Sequence, residues 1–402
     1  MRSPVVWAVL CAATLSPAIA ARSDHSDARP ERLRLRLEEI QRTAHIPGLS
    51  FAVVENGRVL AAEGLGVQSV ASGRPATADT LYDIASVSKV IAGVVALRLV
   101  ELGRLDLDRH MTEFRGFREF CEGFRRQPLI FARDYNCHTE PLTLRHHLAH
   151  LVNGRAGDRF FYNPVAFSWT SRPMRDVGGA PYSELVRRYV FEPAGMTRSV
   201  RTHRDLPVPQ RLASDLAPPH TVDEQGRIVL APPLEPQGDG AAGGVVSSVL
   251  DLAKFDIALD GGRLIADASR DRMFTPARMA GGGTAPYGVG IYVQEHQGHR
   301  LVWHSGWWEK AYSALYLKVP ERRLTLIALA NSEGLWWGNP LDEAHIERAP
   351  IAQAFLETFA GSAGTDAARD PAYVTDSPDA ARDPAYATDS PADVTGRPAH
   401  GI

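Results

Sequence analysis

Short apolar runs bounded by turn residues open the globular part of the chain and recur near its end. Leu49–Val54 and Val59–Leu65 read as strands, and Glu55-Asn56-Gly57-Arg58 between them, with Asn-Gly at its centre, reads as a hairpin turn. Four more strand-like runs lie near 288–294, 300–304, 312–318 and 324–330. A different pattern follows the hairpin. Val90, Ile91, Val94, Val95, Leu97, Leu99 and Val100 leave almost no polar face until Arg98 and Glu101, so the segment predicts a helix buried on nearly every side, capped by Gly103. Ser248–Phe255 and 346–360 predict two further helices. Between about 110 and 240 the chain is rich in Pro and Arg, with short helical stretches at Thr143–His150 and Ser183–Phe191 and no regular strand. The expected fold class is α/β. An antiparallel sheet joins the N-terminal hairpin to the C-terminal strands, helices including 86–102 and 346–360 cover it, and a helical, loop-rich second region faces it.

The two ends of the sequence differ from this. Arg2, the apolar run Val5–Leu15 and Ala18-Ile19-Ala20 have the layout of a secretory signal over residues 1–20. The run is too short for a permanent membrane span, and no later segment is long and apolar enough for one. Residues 21–361 are expected to form the folded domain. Beyond them, over 362–402, Asp366–Pro378 is repeated almost identically as Asp379–Pro391, and such a Pro-, Ala- and Asp-rich tail is expected to be disordered. The expectation is an exported protein, periplasmic or secreted. A net charge of −3 gives no reason to expect nucleic acid or an anionic membrane as partner. With Cys11 in the signal, Cys121 and Cys137 remain; an oxidising compartment favours their pairing in a disulfide, with free thiols as the alternative.

Chemistry enters at Asp83-Ile84-Ala85-Ser86-Val87-Ser88-Lys89-Val90. Ser86 and Lys89 are three apart, on one face of a helix. A serine hydroxyl needs a base to become a nucleophile, and a lysine kept neutral by burial can be that base. The chain has 4 lysines among its 44 basic residues, so a lysine inside an apolar helix is a pointed feature. His146 and His150 have the i, i+4 spacing of a metal pair, but the glutamate of a zinc helix is missing; with His147 they read as capping or packing histidines, and no metal or cofactor is expected.

Two later segments extend the pattern: Gly157–Pro164, containing Tyr162-Asn163-Pro164, and Val302-Trp303-His304-Ser305-Gly306-Trp307. The order S-x-x-K, tyrosine motif, then a His-Ser-Gly triplet resembles the serine β-lactamase and penicillin-binding-protein superfamily, in particular its class C-like branch of esterases, D-amino-acid peptidases and β-lactamases. Leu97–Leu107, Phe191–Met196, Ala242-Gly243-Gly244 and Leu329-Ala330-Asn331 also look like landmarks of that family, and the resemblance covers about residues 45–335. It implies that Ser86 is acylated, that Lys89 shares its proton, and that Tyr162 relays protons to the leaving group and the deacylating water. It further implies an oxyanion hole from the N–H groups of Ser86 and Trp307, with His304, Ser305 and Gly306 lining the wall that binds the substrate's polar end. Pro164 stands where the tyrosine motif usually has asparagine, and His304 where many members have lysine. The lost amide and the paired tryptophans Trp307-Trp308 and Trp336-Trp337 tilt the expectation toward a small ester, ahead of a D-amino-acid amide. The rivals are a β-lactamase or penicillin-binding peptidase, and a catalytically silent binder of cell-wall fragments or of a protein partner.

Overall fold

The computed structural model describes residues 27–135, 137 and 141–361. The signal-like segment 1–20 and the tail 362–402 lie outside the described residues.

The main sheet has six antiparallel strands: β1 (Gly48–Glu55), β2 (Arg58–Gly66), β8 (Tyr292–His296), β9 (His299–Trp308), β10 (Tyr312–Val319) and β11 (Leu324–Ala330), in the order β2-β1-β11-β10-β9-β8. The N-terminal hairpin is thus stitched directly to the last strand, with Leu49 opposite Ala330 and Glu55 opposite Leu324. Asn331, just past β11, secures this junction: its Oδ1 accepts the Gly48 N–H at 2.8 Å and its Nδ2 donates to Gln68 O at 2.9 Å. The central strands are buried on both faces, which is why they read as continuous apolar runs with no polar alternation. Leu315, Leu317 and Val319 of β10 face one core, whereas Ala314 and Tyr316 face the other.

One face is covered by helices Arg29–Thr43 and Pro350–Phe359. The pattern of the sequence assigns nothing to 29–43, because only Leu33 and Leu37 of that helix are fully buried and most of the other positions are charged. The other face carries helices Ser88–Glu101 and Val249–Asp260. Eleven of the 14 residues of Ser88–Glu101 are buried, so it is an interior helix. Against its far side packs the second region, with helices Phe117–Arg125, Pro164–Trp169 and Ser171–Gly178.

Two expectations need correction. The stretch 110–240, read as free of strands, contains β4 (Val200–Arg201), β5 (His220–Val222) and β6 (Ile228–Leu230). β3 (Tyr82–Asp83) and β4 flank β7 (Val245–Ser247) in a small sheet, while β5 and β6 form a separate hairpin. Strands of two or three residues are too short to carry a pattern. The strand expected at 288–294 begins only at Tyr292, because Gly290 at φ +77 breaks the extended backbone. That glycine has a packing reason: a Cβ there would lie 2.4 Å from Lys89 O.

Cys121 and Cys137 are joined by a disulfide with their Cα atoms 6.2 Å apart. It closes the arm that runs from helix Phe117–Arg125 back toward the cleft. Elsewhere, Lys318 of β10 is buried but fully paired. Its Nζ donates to Asp256 at 3.0 Å, Asp260 at 2.7 Å and the Thr325 hydroxyl at 3.1 Å, and Asp256 also accepts from the Tyr316 hydroxyl at 2.5 Å. Removing one partner of such a network leaves a buried charge uncompensated. Lys318→Met is therefore expected to lower unfolding free energy by about 3–5 kcal/mol in urea titrations.

Candidate active site

The nucleophile segment is built by a turn. β3 ends at Asp83, whose Oδ1 accepts the Ala85 N–H at 2.8 Å and the Trp308 indole N–H at 3.0 Å. Ala85 follows at φ +47, a left-handed conformation uncommon for a residue with a Cβ. Ser86 then sits in the single 3-10 turn Ala85–Val87 that leads into helix Ser88–Glu101. The Ser88 hydroxyl accepts the Val245 N–H at 3.2 Å, tying the helix start to β7.

Lys89 Nζ lies 2.8 Å from Ser86 Oγ and donates to the Ala242 carbonyl at 3.1 Å. The side chain is fully buried, and among the described residues no carboxylate pairs with it. Burial holds its pKa well below that of an ordinary lysine. A neutral amine at hydrogen-bond distance from a serine hydroxyl can take its proton.

Tyr162 stands on the other side of Ser86. Burial raises its phenol pKa, and a hydrogen bond with Ser86 offsets part of that rise. Lys89 Nζ lies 4.9 Å from the centre of its ring. Burial therefore favours the neutral form of both groups.

β9 supplies the opposite wall. Gly306 is pressed against the nucleophile turn, and a Cβ there would lie 2.3 Å from Ile84 O, so no other residue fits. This approach puts the next residue, Trp307, beside Ser86. The Trp307 indole donates to Glu333 at 3.2 Å and its ring stacks on Trp336 at 5.5 Å. His304 is buried with both ring nitrogens occupied: Nδ1 bonds Ser305 O at 2.6 Å, and Nε2 the Tyr287 hydroxyl at 2.8 Å. A carbonyl partner requires the proton on Nδ1, so Nε2 accepts from the tyrosine. Burial, with Lys89 nearby, pushes its pKa down to about 3, and the ring is neutral at physiological pH.

Ser86, Lys89, Tyr162, His304, Ser305 and Trp307 thus converge on one cleft of about 1460 Å³, together with Phe131, Trp169, Trp308 and Trp336. Gly306, expected to line the substrate wall, is not among the lining residues; it packs against Ile84 O behind the cleft. Asn163 does not face the cleft. Its Oδ1 caps helix Pro164–Trp169 through the Ala166 N–H at 3.0 Å, and its Nδ2 donates to Phe131 O at 2.8 Å and Asn153 Oδ1 at 2.9 Å. Pro164 lines the cleft in its place.

The three neighbouring histidines do separate work. His146 closes a capping box with Thr143, His147 bonds the Tyr135 hydroxyl at 2.9 Å, and His150 takes the Asn163 N–H at 3.0 Å. Sequence reasoning passed over Asp83 and the Ala242 carbonyl as parts of the site, whereas Trp307, Trp308 and Trp336 of the two tryptophan pairs do line the cleft. Ala242-Gly243-Gly244 was legible as a landmark, but no spacing rule connects it with Lys89.

A serine in the turn before a helix, a lysine in that helix's first turn and a strand carrying a glycine-bearing triplet beside them form the arrangement of a serine acyl-transfer hydrolase. The sequence model of the β-lactamase family matches residues 33–349, and the chain belongs to that family of serine hydrolases. It is similar to penicillin-binding protein 4* of Bacillus subtilis, with 26% identity over 317 residues that cover 69% of this chain and 68% of that one. In fold it resembles the octameric penicillin-binding protein homologue from Pyrococcus abyssi, with TM-score 0.65, 24% identity, and 81% and 77% of the two chains covered. It also resembles the D-amino acid amidase from Ochrobactrum anthropi SV3, with TM-score 0.63, 19% identity, and 83% and 98% covered.

The charge state of Lys89 yields two expected outcomes. The rate of acylation rises with pH through the lowered pKa of Lys89 and then levels, well below the pH at which a free lysine would titrate. Lys89→Met lowers acylation by about 10²–10⁴-fold yet raises the melting temperature at pH 7. The sign follows from linkage: between the folded pKa and 10.5 the unfolded state binds a proton that the folded state does not, so burying Lys89 opposes folding there, and methionine removes that penalty.

Proposed function

We propose that the chain is an exported serine hydrolase that forms an acyl-enzyme on Ser86 and hydrolyses a small ester or D-amino-acid amide, with the ester preferred. The observation that carries this reading is the 2.8 Å contact between Ser86 Oγ and a buried Lys89 amine that no carboxylate neutralises among the described residues. In the forward step Lys89 takes the Ser86 proton as Oγ attacks the substrate carbonyl. The developing oxyanion lies against the N–H groups of Ser86 and Trp307. Tyr162 passes a proton to the leaving group, and then orients and deprotonates the water that releases the acyl group.

Two features support an ester. The Asn163 amide is spent on a helix cap and on the Phe131 carbonyl, so the loop that follows Tyr162 offers the cleft Pro164 and no amide donor for a peptide carbonyl. His304 is neutral and internally bonded, and so provides no fixed cation for a substrate carboxylate. The tryptophans Trp307, Trp308 and Trp336 instead offer apolar surface to an acyl or alcohol group. A disulfide between Cys121 and Cys137 supports an oxidising compartment, in keeping with export.

The test is hydrolysis of p-nitrophenyl butyrate by the mature protein beside Ser86→Ala, with mass spectrometry of the quenched enzyme. Turnover by wild type, loss of about 10³-fold or more in Ser86→Ala, and a butyryl adduct on the Ser86 peptide are expected. Equal rates in the two proteins would reject Ser86 as nucleophile. Nitrocefin in the same assay distinguishes the ester reading from β-lactam hydrolysis.

A further inference from the structure

His150 has no part in the acyl-transfer steps above, yet it touches the chain on both sides of Tyr162. Its carbonyl accepts the Phe161 N–H at 3.0 Å, and its Nδ1 accepts the Asn163 N–H at 3.0 Å. Its ring lies against the Tyr162 ring with centroids 4.3 Å apart. The residues before and after the tyrosine, and the tyrosine itself, are therefore held by one side chain and its own carbonyl.

Packing alone does not account for an imidazole at this place. Accepting at Nδ1 puts the proton of the neutral ring on Nε2, and that buried N–H meets no hydrogen-bond partner among the described residues. The ring is enclosed by Phe160, Phe167 and Tyr287, with centroids 6.1, 5.2 and 4.8 Å away. A phenyl ring would fill that aromatic surrounding without burying an unpaired donor. His150 is also held at φ +57, where histidine and asparagine are found more often than most side chains. The unpaired N–H and the left-handed backbone are both costs, and what they accompany is the acceptor aimed at Asn163 N–H.

We propose that His150 is the positioning residue for Tyr162, fixing the phenol against Ser86 by gripping the backbone on either side of it. The inference rests on the reading of Tyr162 as the proton relay. A phenol free to swing by an ångström would miss the leaving group, and misplacement on that scale lowers turnover by about 10²-fold.

The experiment is steady-state hydrolysis of p-nitrophenyl butyrate by His150→Phe, His150→Asn, Tyr162→Phe and the double variant H150F/Y162F, each checked for folding by circular dichroism. Asparagine can place its Oδ1 near the position of Nδ1 and tolerates the left-handed backbone; phenylalanine keeps the ring and removes the acceptor. Expected are a fall in kcat of about 10²-fold in H150F, with KM within about threefold of wild type, and recovery to within about fivefold in H150N. In the Tyr162→Phe background the H150F change should cost less than about twofold, because both act through one group. An H150F effect of the same size in both backgrounds would overturn the proposal, as would H150N as impaired as H150F, or wild-type kcat in H150F. Wild-type kcat in Tyr162→Phe would instead remove the relay reading, and this inference with it. Should H150F fail to fold, His150→Gly, unstrained at positive φ, takes its place: loss of kcat restored by added imidazole is expected, and wild-type kcat without imidazole would overturn the proposal.

Discussion

The structure depends on a buried amine that has no counter-charge among the described residues. Lys89 and Lys318 are both enclosed, and their surroundings treat them in opposite ways. Lys318 meets two aspartates and a threonine hydroxyl, so it stays charged and braces β10 against helix Val249–Asp260. Lys89 meets a serine hydroxyl and a carbonyl. An isolated ammonium in such a place is costly to keep, so burial favours the neutral amine, the form able to accept a proton. Its setting inside an almost wholly apolar helix is therefore the source of its chemistry as well as a packing fact.

Two further side chains near Ser86 are held without charge. Tyr162 is kept as a phenol, and His304 is kept neutral by burial and by bonds to Ser305 and Tyr287. The centre is assembled around Ser86 from buried side chains held in their neutral forms. Charge that develops during reaction is then answered by fixed dipoles, where a hydrogen bond is worth more than in water. Such a centre tolerates little looseness, and backbone contacts supply the rigidity. Gly306 lies against Ile84 O, Gly290 against Lys89 O, and a Cβ on Gly93 would lie 2.4 Å from Val289 O. Three glycines thus let β9 and the loop before β8 press directly on the nucleophile turn and the start of its helix.

The second region completes the cleft from the other side. Asn153 and Asn163 both donate to the Phe131 carbonyl, which fastens the disulfide-closed arm to the loop that carries Tyr162. Residues that shape the substrate's surroundings are thereby tied to residues that act on it. The asparagine of the tyrosine motif is used for architecture in this chain, and Pro164 takes its place at the cleft.

Much of this was legible in the sequence. The hairpin at 49–65, the interior helix after Ser86, the last strands and the terminal helix follow from local patterns, because burial on one or both faces dictates residue type position by position. The Ser86–Lys89 pair was legible because one helical turn separates its members, and Tyr162 and His304 because short motifs mark them. What could not be read is what depends on contacts across hundreds of residues or on strands of two or three. The helix at Arg29–Thr43 buries too narrow a stripe to announce itself, and β3, β4 and β7 are too short to show a period. The sequence determined which residues could react and which segments had to be buried. The tertiary structure alone decided that Lys89 has no counter-ion among the described residues, that His304 is neutral, that Asn163 turns away from the cleft and that His150 bonds the backbone on both sides of Tyr162. Each of these is a statement about which groups surround an atom, and that is set by how distant segments pack.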